Sequence, residues 1–208
     1  MPAAIVFAAA PVAPSPRLRA RLASLDSPSV IAADAGAATA LAFGFTPSLV
    51  IGDFDSLDPS TLGPLPLERF PRDKDATDGQ LAIQRALQDS PSELILVGFL
   101  GGPRLDQALA NVLLLTSIEV PTVLLDEQNE CVLLRDAHAW APEPSEIVSL
   151  IPVTSTVEGV WTHGLRWPLR GETLTRGDTR GVSNEPVADQ ARVEIARGLL
   201  LLTRHFPL

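Results

Sequence analysis

Short apolar runs alternate with stretches of helical periodicity through the first three-fifths of the chain. Residues 3–9 form an apolar run that reads as a buried strand, and a proline-bounded loop follows. Leu18, Leu22 and Leu25 recur at helical spacing over 17–25. Residues 30–33 predict a second strand closed by Asp34. The alanine-rich stretch 37–45 ends beside Gly44, which suits a helix with a glycine after its last turn. Residues 49–51 predict a third strand that runs into an acidic cluster. Pro59, Pro64 and Pro66 make 58–67 a loop or short turn. Thr77 or Asp78 can cap a helix carrying Leu81, Ile83, Ala86 and Leu87. A strand over 94–100 is broken by Gly101-Gly102-Pro103. Apolar residues at 105, 108, 109, 112, 113 and 115 then share a helical face, and 120–125 is the next strand.

Strands alternating with helices predict a parallel sheet, so residues 1–126 read as an α/β domain. Beyond about residue 127 the texture changes. Short strands at 132–134, 146–151, 157–161 and 199–203 are separated by Pro and Gly turns, with no amphipathic helix between them. Residues 127–208 therefore read as a second, all-β domain.

Charge narrows the picture. A net charge of −9 argues against a general nucleic-acid surface, so phosphate handling here needs metal ions or local Lys and Arg. A lone cysteine, Cys131, excludes an internal disulfide framework and a cysteine-type zinc site, and fits the cytoplasm. The N-terminal stretch lacks basic residues and meets Pro11, Pro14 and Pro16, so it reads as strand and loop rather than a signal peptide. No apolar run reaches the roughly 18 residues of a membrane span.

The candidate chemistry sits where the predicted strands end, which in parallel sheets is where ligands bind. In Gly52-Asp53-Phe54-Asp55-Ser56, an extended backbone would put Asp53 and Asp55 on one side, about 7 Å apart or less. Two such carboxylates can hold a hard cation and its phosphates. In the block 71–78, Arg72 and Lys74 can offset phosphate charge, Asp73, Asp75 and Asp78 can bind metal, and Thr77 offers a hydroxyl. In the block 98–107, Gly101 and Gly102 allow close backbone approach, Arg104 adds a cation, and Asp106 can take a hydroxyl or a metal-bound water. This block matches neither the Walker nor the dinucleotide pattern. In the second domain, Trp167 can stack on a flat ring, and Ser183 and Asn184 can hydrogen-bond it. His138, His163 and His205 show no metal-ligand spacing.

Taken in order, these blocks resemble the thiamine pyrophosphokinase (thiamin diphosphokinase) family. The matching stretches are Asp34-Ala35-Gly36-Ala37, 52–56, 74–78, 98–111, 164–169 and Ser183-Asn184-Glu185, together spanning about 31 to 185. The resemblance implies a Rossmann-like α/β catalytic domain followed by a β-sandwich, working as a homodimer with the thiamine site between subunits. It implies transfer of a pyrophosphoryl group from ATP to the hydroxyl of thiamine, releasing AMP. It also implies Mg²⁺ on the carboxylates of Asp53, Asp55 and Asp78, and a thiamine-site role for Ser183. The chain departs from the family pattern at Ala35, at the inserted Pro103, and at Gln107 where histidine is usual. Gln107 can hydrogen-bond but cannot carry a proton near neutral pH.

Expected nucleotide and substrate contacts are Asp34, Lys74, Thr77, Gly101, Gly102, Arg104, Asp106, Gln107, Trp167, Ser183 and Asn184, with Asp75 among the catalytic carboxylates. Asp34, Asp75 and Asp106 remain alternative acceptors for the hydroxyl proton. Two other readings stand beside the kinase: a thiamine- or nucleotide-binding module without turnover, and a Mg²⁺-dependent phosphatase or nucleotidyl transferase.

Overall fold

The structure, a computed structural model, describes residues 1–55 and 63–207. The chain divides into two compact units, Met1–Glu127 and Gln128–Leu208.

The first unit is a six-stranded parallel sheet with helices. Its strands are β1 (Ala4–Phe7), β2 (Ser29–Ala33), β3 (Leu49–Gly52), β4 (Leu67–Arg69), β5 (Leu94–Val97) and β6 (Thr122–Leu125). They lie in the order β4-β3-β2-β1-β5-β6, and every pairing is parallel. β1 and β5 are buried at every position, as expected for strands covered on both faces. The helices are α1 (Pro16–Ala23), α2 (Gly36–Ala42), α3 (Asp78–Gln88) and α4 (Leu105–Leu114), the last continued by a 3₁₀ turn over Leu115–Ser117.

Local chemistry starts and stops these helices. The Ser15 hydroxyl accepts the Leu18 N–H at the start of α1, with Pro16 in the first turn. The Thr77 hydroxyl accepts the Gln80 N–H at the start of α3. Leu18 and Leu22 of α1, with Ala37 and Ala40 of α2, pack into a core built on Ile5, Phe7, Ala32, Ile95 and Val97.

Strand order reverses at β1, which pairs with β2 on one side and β5 on the other. A crevice forms off the carboxyl ends of strands at such a switch point, because the connections on either side lead away in opposite directions.

Two features differ from the sequence reading. β4 lies within the expected loop region and beyond. It is an edge strand of three exposed residues, too short and polar to show a period. Residues 58–62 of that loop, with Ser56 and Leu57 before it, lie outside the described residues. α4 is a helix as expected, but its apolar face is not covered: Leu105, Leu109 and Leu113 are 70%, 57% and 55% exposed. Periodicity reports that a face is apolar, not that something packs on it.

The second unit is antiparallel. Its strands are β7 (Asn129–Leu134), β8 (Ala137–Trp140), β9 (Ile147–Pro152), β10 (Thr156–His163), β11 (Arg170–Thr175), β12 (Ala191–Glu194) and β13 (Leu200–His205). β13 pairs with β7 and β9, while β10, β11, β12 and β8 form a four-stranded sheet in the order β11-β10-β12-β8. Side chains of both groups, among them Leu134, Val148, Leu150, Leu200 and Leu202 with Val157, Val160, Leu174 and Val193, share one core. Among the described residues this unit has no helix. β8, β11 and β12 escaped the sequence reading because their polar residues break up the apolar runs.

Candidate active site

At the switch point a cleft of about 530 Å³ opens, lined by the segments that follow β1, β2 and β5 and by the starts of α3 and α4. Its walls include Ala8–Pro11, Asp34, Thr77, Asp78, Gly101, Gly102, Arg104, Asp106 and Gln107. A smaller recess of about 330 Å³ is lined by Arg72, Lys74, Asp75, Thr77, Asp78 and Gln107. Thr77, Asp78 and Gln107 belong to both linings, so the two spaces share an edge.

Backbone packing sets the floor of the cleft. The Ala8 N–H bonds the Val97 carbonyl at 2.8 Å, and the Ala10 N–H bonds the Gly98 carbonyl at 3.0 Å. Gly98 has φ +77°, and a Cβ there would stand 2.3 Å from the Ala8 carbonyl oxygen. Only glycine lets the segments after β1 and β5 approach this closely.

The acidic cluster is assembled across β2, β3 and α3. Asp34 closes β2 in a left-handed conformation, φ 45°. One of its carboxylate oxygens, Oδ1, accepts the Phe54 N–H at 3.4 Å. A Cβ on Gly52 would stand 1.9 Å from the same oxygen, so the glycine makes room for the Asp34 carboxylate. The backbone between Asp53 and Asp55 is a turn rather than the extended segment expected. β3 ends at Gly52, Phe54 turns into the left-handed region at φ 57°, and the Asp53 carboxylate accepts the Asp55 N–H at 3.1 Å. This aspartate turn keeps the two residues together, and the Asp55 side chain also bears on the Asp53 carboxylate. Asp53 faces Lys74, whereas Asp55 is exposed with Arg72 at 3.9 Å. Ser56, the last residue of that motif, lies outside the described residues.

Lys74 joins the cluster. Its ammonium donates to Asp53 Oδ2 at 3.5 Å and to the Pro71 carbonyl at 3.1 Å, and it lies 3.2 Å from Asp78 Oδ1. Asp78 Oδ1 is nonetheless a buried oxygen with no properly directed hydrogen bond among the described residues. The charges leave their mark on proton affinity. Burial first, then the neighbouring Asp78 charge, pushes the Asp34 carboxyl up to about 6. The Asp55 N–H, then the Asp55 side chain and Lys74, hold Asp53 below the usual carboxylate range. For Lys74, burial pulls down, but Asp78 and Asp53 outweigh it and raise the ammonium above its ordinary value.

On the facing rim, Gly101 and Gly102 have φ of 71° and 76°. Arg104 donates to both Asp106 oxygens, at 2.8 and 2.6 Å. This exposed pair lowers Asp106 to about 2, chiefly through the Arg104 hydrogen bonds. Asp106 is thus engaged by a cation and poorly disposed to take a proton. Three contributors to the cleft were not singled out from sequence. The segment Ala8–Pro11 reads only as a strand end and loop. Gln80 follows the Thr77 cap by three residues. Asn111 donates to the Phe99 carbonyl at 2.9 Å, tying α4 to the segment after β5. Its signal was its place as the last residue of the 98–111 motif block.

In the second unit, Trp167 is 55% exposed, with the Arg166 guanidinium 5.7 Å from its ring centre. Asn184 is buried, and its side chain is committed to the Trp167 loop. Its oxygen accepts the N–H of Trp167 at 3.1 Å and of Glu185 at 2.9 Å, while its amide donates to the Trp167 carbonyl at 2.7 Å. Ser183 is exposed in a left-handed conformation, φ 62°, and its N–H donates to the Ser149 hydroxyl at 3.1 Å.

Asp53 and Asp78, the two carboxylates that meet Lys74, fit a hard cation only in part. Among the described residues no group of three or more His, Cys, Asp or Glu is assembled to hold a metal. Magnesium, however, takes one or two carboxylates and completes its shell with water and phosphate oxygens. The buried Asp78 oxygen, held by no directed hydrogen bond but only by the Lys74 ion pair that Asp53 shares, suits that mode.

Comparison with known proteins gives a consistent result. The family model for "Thiamin pyrophosphokinase, catalytic domain" matches residues 22–124, and that for "Thiamin pyrophosphokinase, vitamin B1 binding domain" matches 140–200. A thiamine pyrophosphokinase of Bacillus subtilis (strain 168) is 29% identical over 186 residues, covering 84% of this chain and 86% of the relative. The solved thiamin pyrophosphokinase of Geobacillus thermodenitrificans superposes with a TM-score of 0.85 at 28% identity, covering 100% of this chain and 98% of the other. The yeast enzyme shares the fold, with a TM-score of 0.78 at 15% identity over 99% of this chain and 86% of its own.

Proposed function

Because this chain belongs to the thiamin pyrophosphokinase family, we propose that the cleft at the β1 switch point takes ATP with its phosphates toward the Asp34, Asp53, Lys74 and Asp78 cluster. The chain is an enzyme, a thiamine pyrophosphokinase that transfers pyrophosphate from ATP to the hydroxyl of thiamine and yields thiamine diphosphate and AMP. The observation that carries the site assignment is the convergence of Asp53 and Asp78 on Lys74, with Lys74 lining the recess and Asp78 lining both the recess and the cleft.

In this reading the first unit is Rossmann-like and catalytic, over about 1–126, and the second is a β-sandwich that binds thiamine, over about 127–208. Asp53 and Asp78 would hold Mg²⁺, which supplies neutralisation of phosphate oxygens and of the AMP leaving group. Asp55, the third expected ligand, stands on the turn next to Asp53, half-exposed with Arg72 at 3.9 Å.

Phosphoryl chemistry depends mostly on positioning and electrostatics, and the chain's own groups are placed for both. Lys74 supplies a cation in the recess and Arg104 one in the cleft, and the α3 N-terminus presents N–H groups to an anion. Gly101 and Gly102 admit the ligand to the backbone, and Thr77 and Gln107 reach both spaces. Of the three carboxylates considered for the hydroxyl proton, Asp106 is tied up by Arg104, which leaves Asp34 and Asp75. Trp167, Ser183 and Asn184 form the thiamine-facing set, with Asn184 acting by holding the Trp167 loop in place. We assign the working form as a cytoplasmic homodimer with the thiamine site between subunits.

The test is direct. Incubation with ATP, Mg²⁺ and thiamine is expected to give AMP and thiamine diphosphate in equal amounts. Free phosphate without thiamine diphosphate, or no thiamine-dependent AMP, would overturn the reading.

A further inference from the structure

Lys74 is placed unlike a cation that waits for a ligand in solvent. Its side chain is 13% exposed, and its ammonium is already shared between Asp53 Oδ2 at 3.5 Å, Asp78 Oδ1 at 3.2 Å and the Pro71 carbonyl at 3.1 Å. The two carboxylates come from different elements, one following β3 and the other opening α3, and their side chains are themselves mostly buried. Without a cation between them, two partly buried like charges repel and drive the elements apart. Asp34, which lines the cleft and is coupled to both, adds a third acidic group. With all four groups ionised, three carboxylates and one ammonium leave a charge of −2, whereas the carboxylates alone carry −3.

We propose that Lys74 is the built-in counter-ion of this cluster: its ammonium keeps Asp53 and Asp78 assembled in the metal-free protein and opposes a divalent cation until an anionic ligand draws it away. A compact point charge on a flexible stem suits this double duty better than a planar guanidinium. Lys74 also lines the recess beside the cleft, so its ammonium has a place to follow a phosphate without leaving the site. The consequence is an order of entry. Mg²⁺ alone meets carboxylates already neutralised in part, while Mg²⁺ arriving with a polyphosphate meets carboxylates that Lys74 has released. The proposal makes Lys74 a positioning residue. It rests on the reading that Asp53 and Asp78 face the cation.

The experiment is thermal melting and calorimetric titration with MgCl₂ alone, at matched ionic strength. It compares the wild-type chain with Lys74→Met, Lys74→Arg and the double variant Lys74→Met/Asp78→Asn. Metal-free Lys74→Met is expected to melt below wild type, and Lys74→Arg close to it. Mg²⁺ is expected to bind Lys74→Met roughly tenfold more tightly than wild type or better, with the gain lost in the double variant. A merely structural lysine would predict the reverse for the metal, since a loosened site binds less tightly. Unchanged metal-free melting together with unchanged Mg²⁺ affinity overturns the counter-ion and leaves the proposed reaction standing. A gain that survives Asp78→Asn overturns it by removing the metal-site reading instead. Should Lys74→Met fail to fold, Lys74→Gln carries the same comparison.

Discussion

At the scale of single residues, the site depends on close backbone approach as much as on charge. Gly52 has no functional group, yet its missing Cβ is the space that the Asp34 carboxylate occupies. Gly52→Ala is therefore expected to displace Asp34 and lower kcat/KM on the order of 10²-fold while the fold survives, checked by steady-state kinetics beside circular dichroism. Asp55 poses the opposite question, because it carries charge but stands on an exposed turn. Asp55→Asn is expected to cost on the order of 10²–10³ in rate without unfolding the protein, the effect of removing one key electrostatic contact. Near-normal turnover in that variant would restrict the metal ligands to Asp53 and Asp78. The types and order of these carboxylates were legible in the sequence. The turn that joins Asp53 to Asp55 was not, because the left-handed backbone at Phe54 depends on no local apolar pattern.

At the scale of elements, α3 joins fold to site. Its first residue is Asp78, its cap is Thr77, and Ala82, Ile83 and Ala86 bury its inner face. Thr77→Ala removes the hydroxyl that accepts the Gln80 N–H and is expected to cost about 1 kcal/mol of stability, read from denaturant unfolding. The cap and the apolar spacing of α3 could be read directly from the chain, because both are local. For α4 the spacing predicted the helix but not its surroundings. Its three spaced leucines stay exposed, while Ala108, Asn111 and Leu114 line the cleft. β4 was invisible to periodicity because an exposed three-residue edge strand has no buried face to pattern.

At the scale of the whole molecule, the second unit contains a buried ionic network that no local pattern announces. Arg204 donates to both Glu146 oxygens at 2.9 Å and to Glu130 at 2.9 Å, and the Trp140 indole N–H donates to Glu146 at 2.8 Å. Arg204→Ala leaves Glu146 buried without its cation and is expected to destabilise the fold by about 3–5 kcal/mol, measured by thermal and denaturant unfolding. Nearby His138 stacks on Trp140. Burial lowers its proton affinity, Glu130 opposes that shift, and Arg204 adds to it. A base whose folded value is lowered takes its proton first in the unfolded chain, so stability falls as pH drops below about 6.5. His138→Gln is expected to flatten that part of the pH–stability curve, and an unchanged slope would count against the assignment.

The sequence by itself determined what depends on near neighbours: helical and strand periods, caps, glycines beside strand ends, and the order of motif blocks that matches the family. Tertiary structure decided what depends on residues distant in the chain. It placed β1 at the reversal of strand order, brought Ala8–Pro11 into the cleft wall, and set Lys74 between Asp53 and Asp78. Local geometry is set by backbone sterics over a few residues. The meeting of β3, the segment before α3 and the ends of β1 and β5 is set by packing across the whole sheet, which no short window of sequence contains.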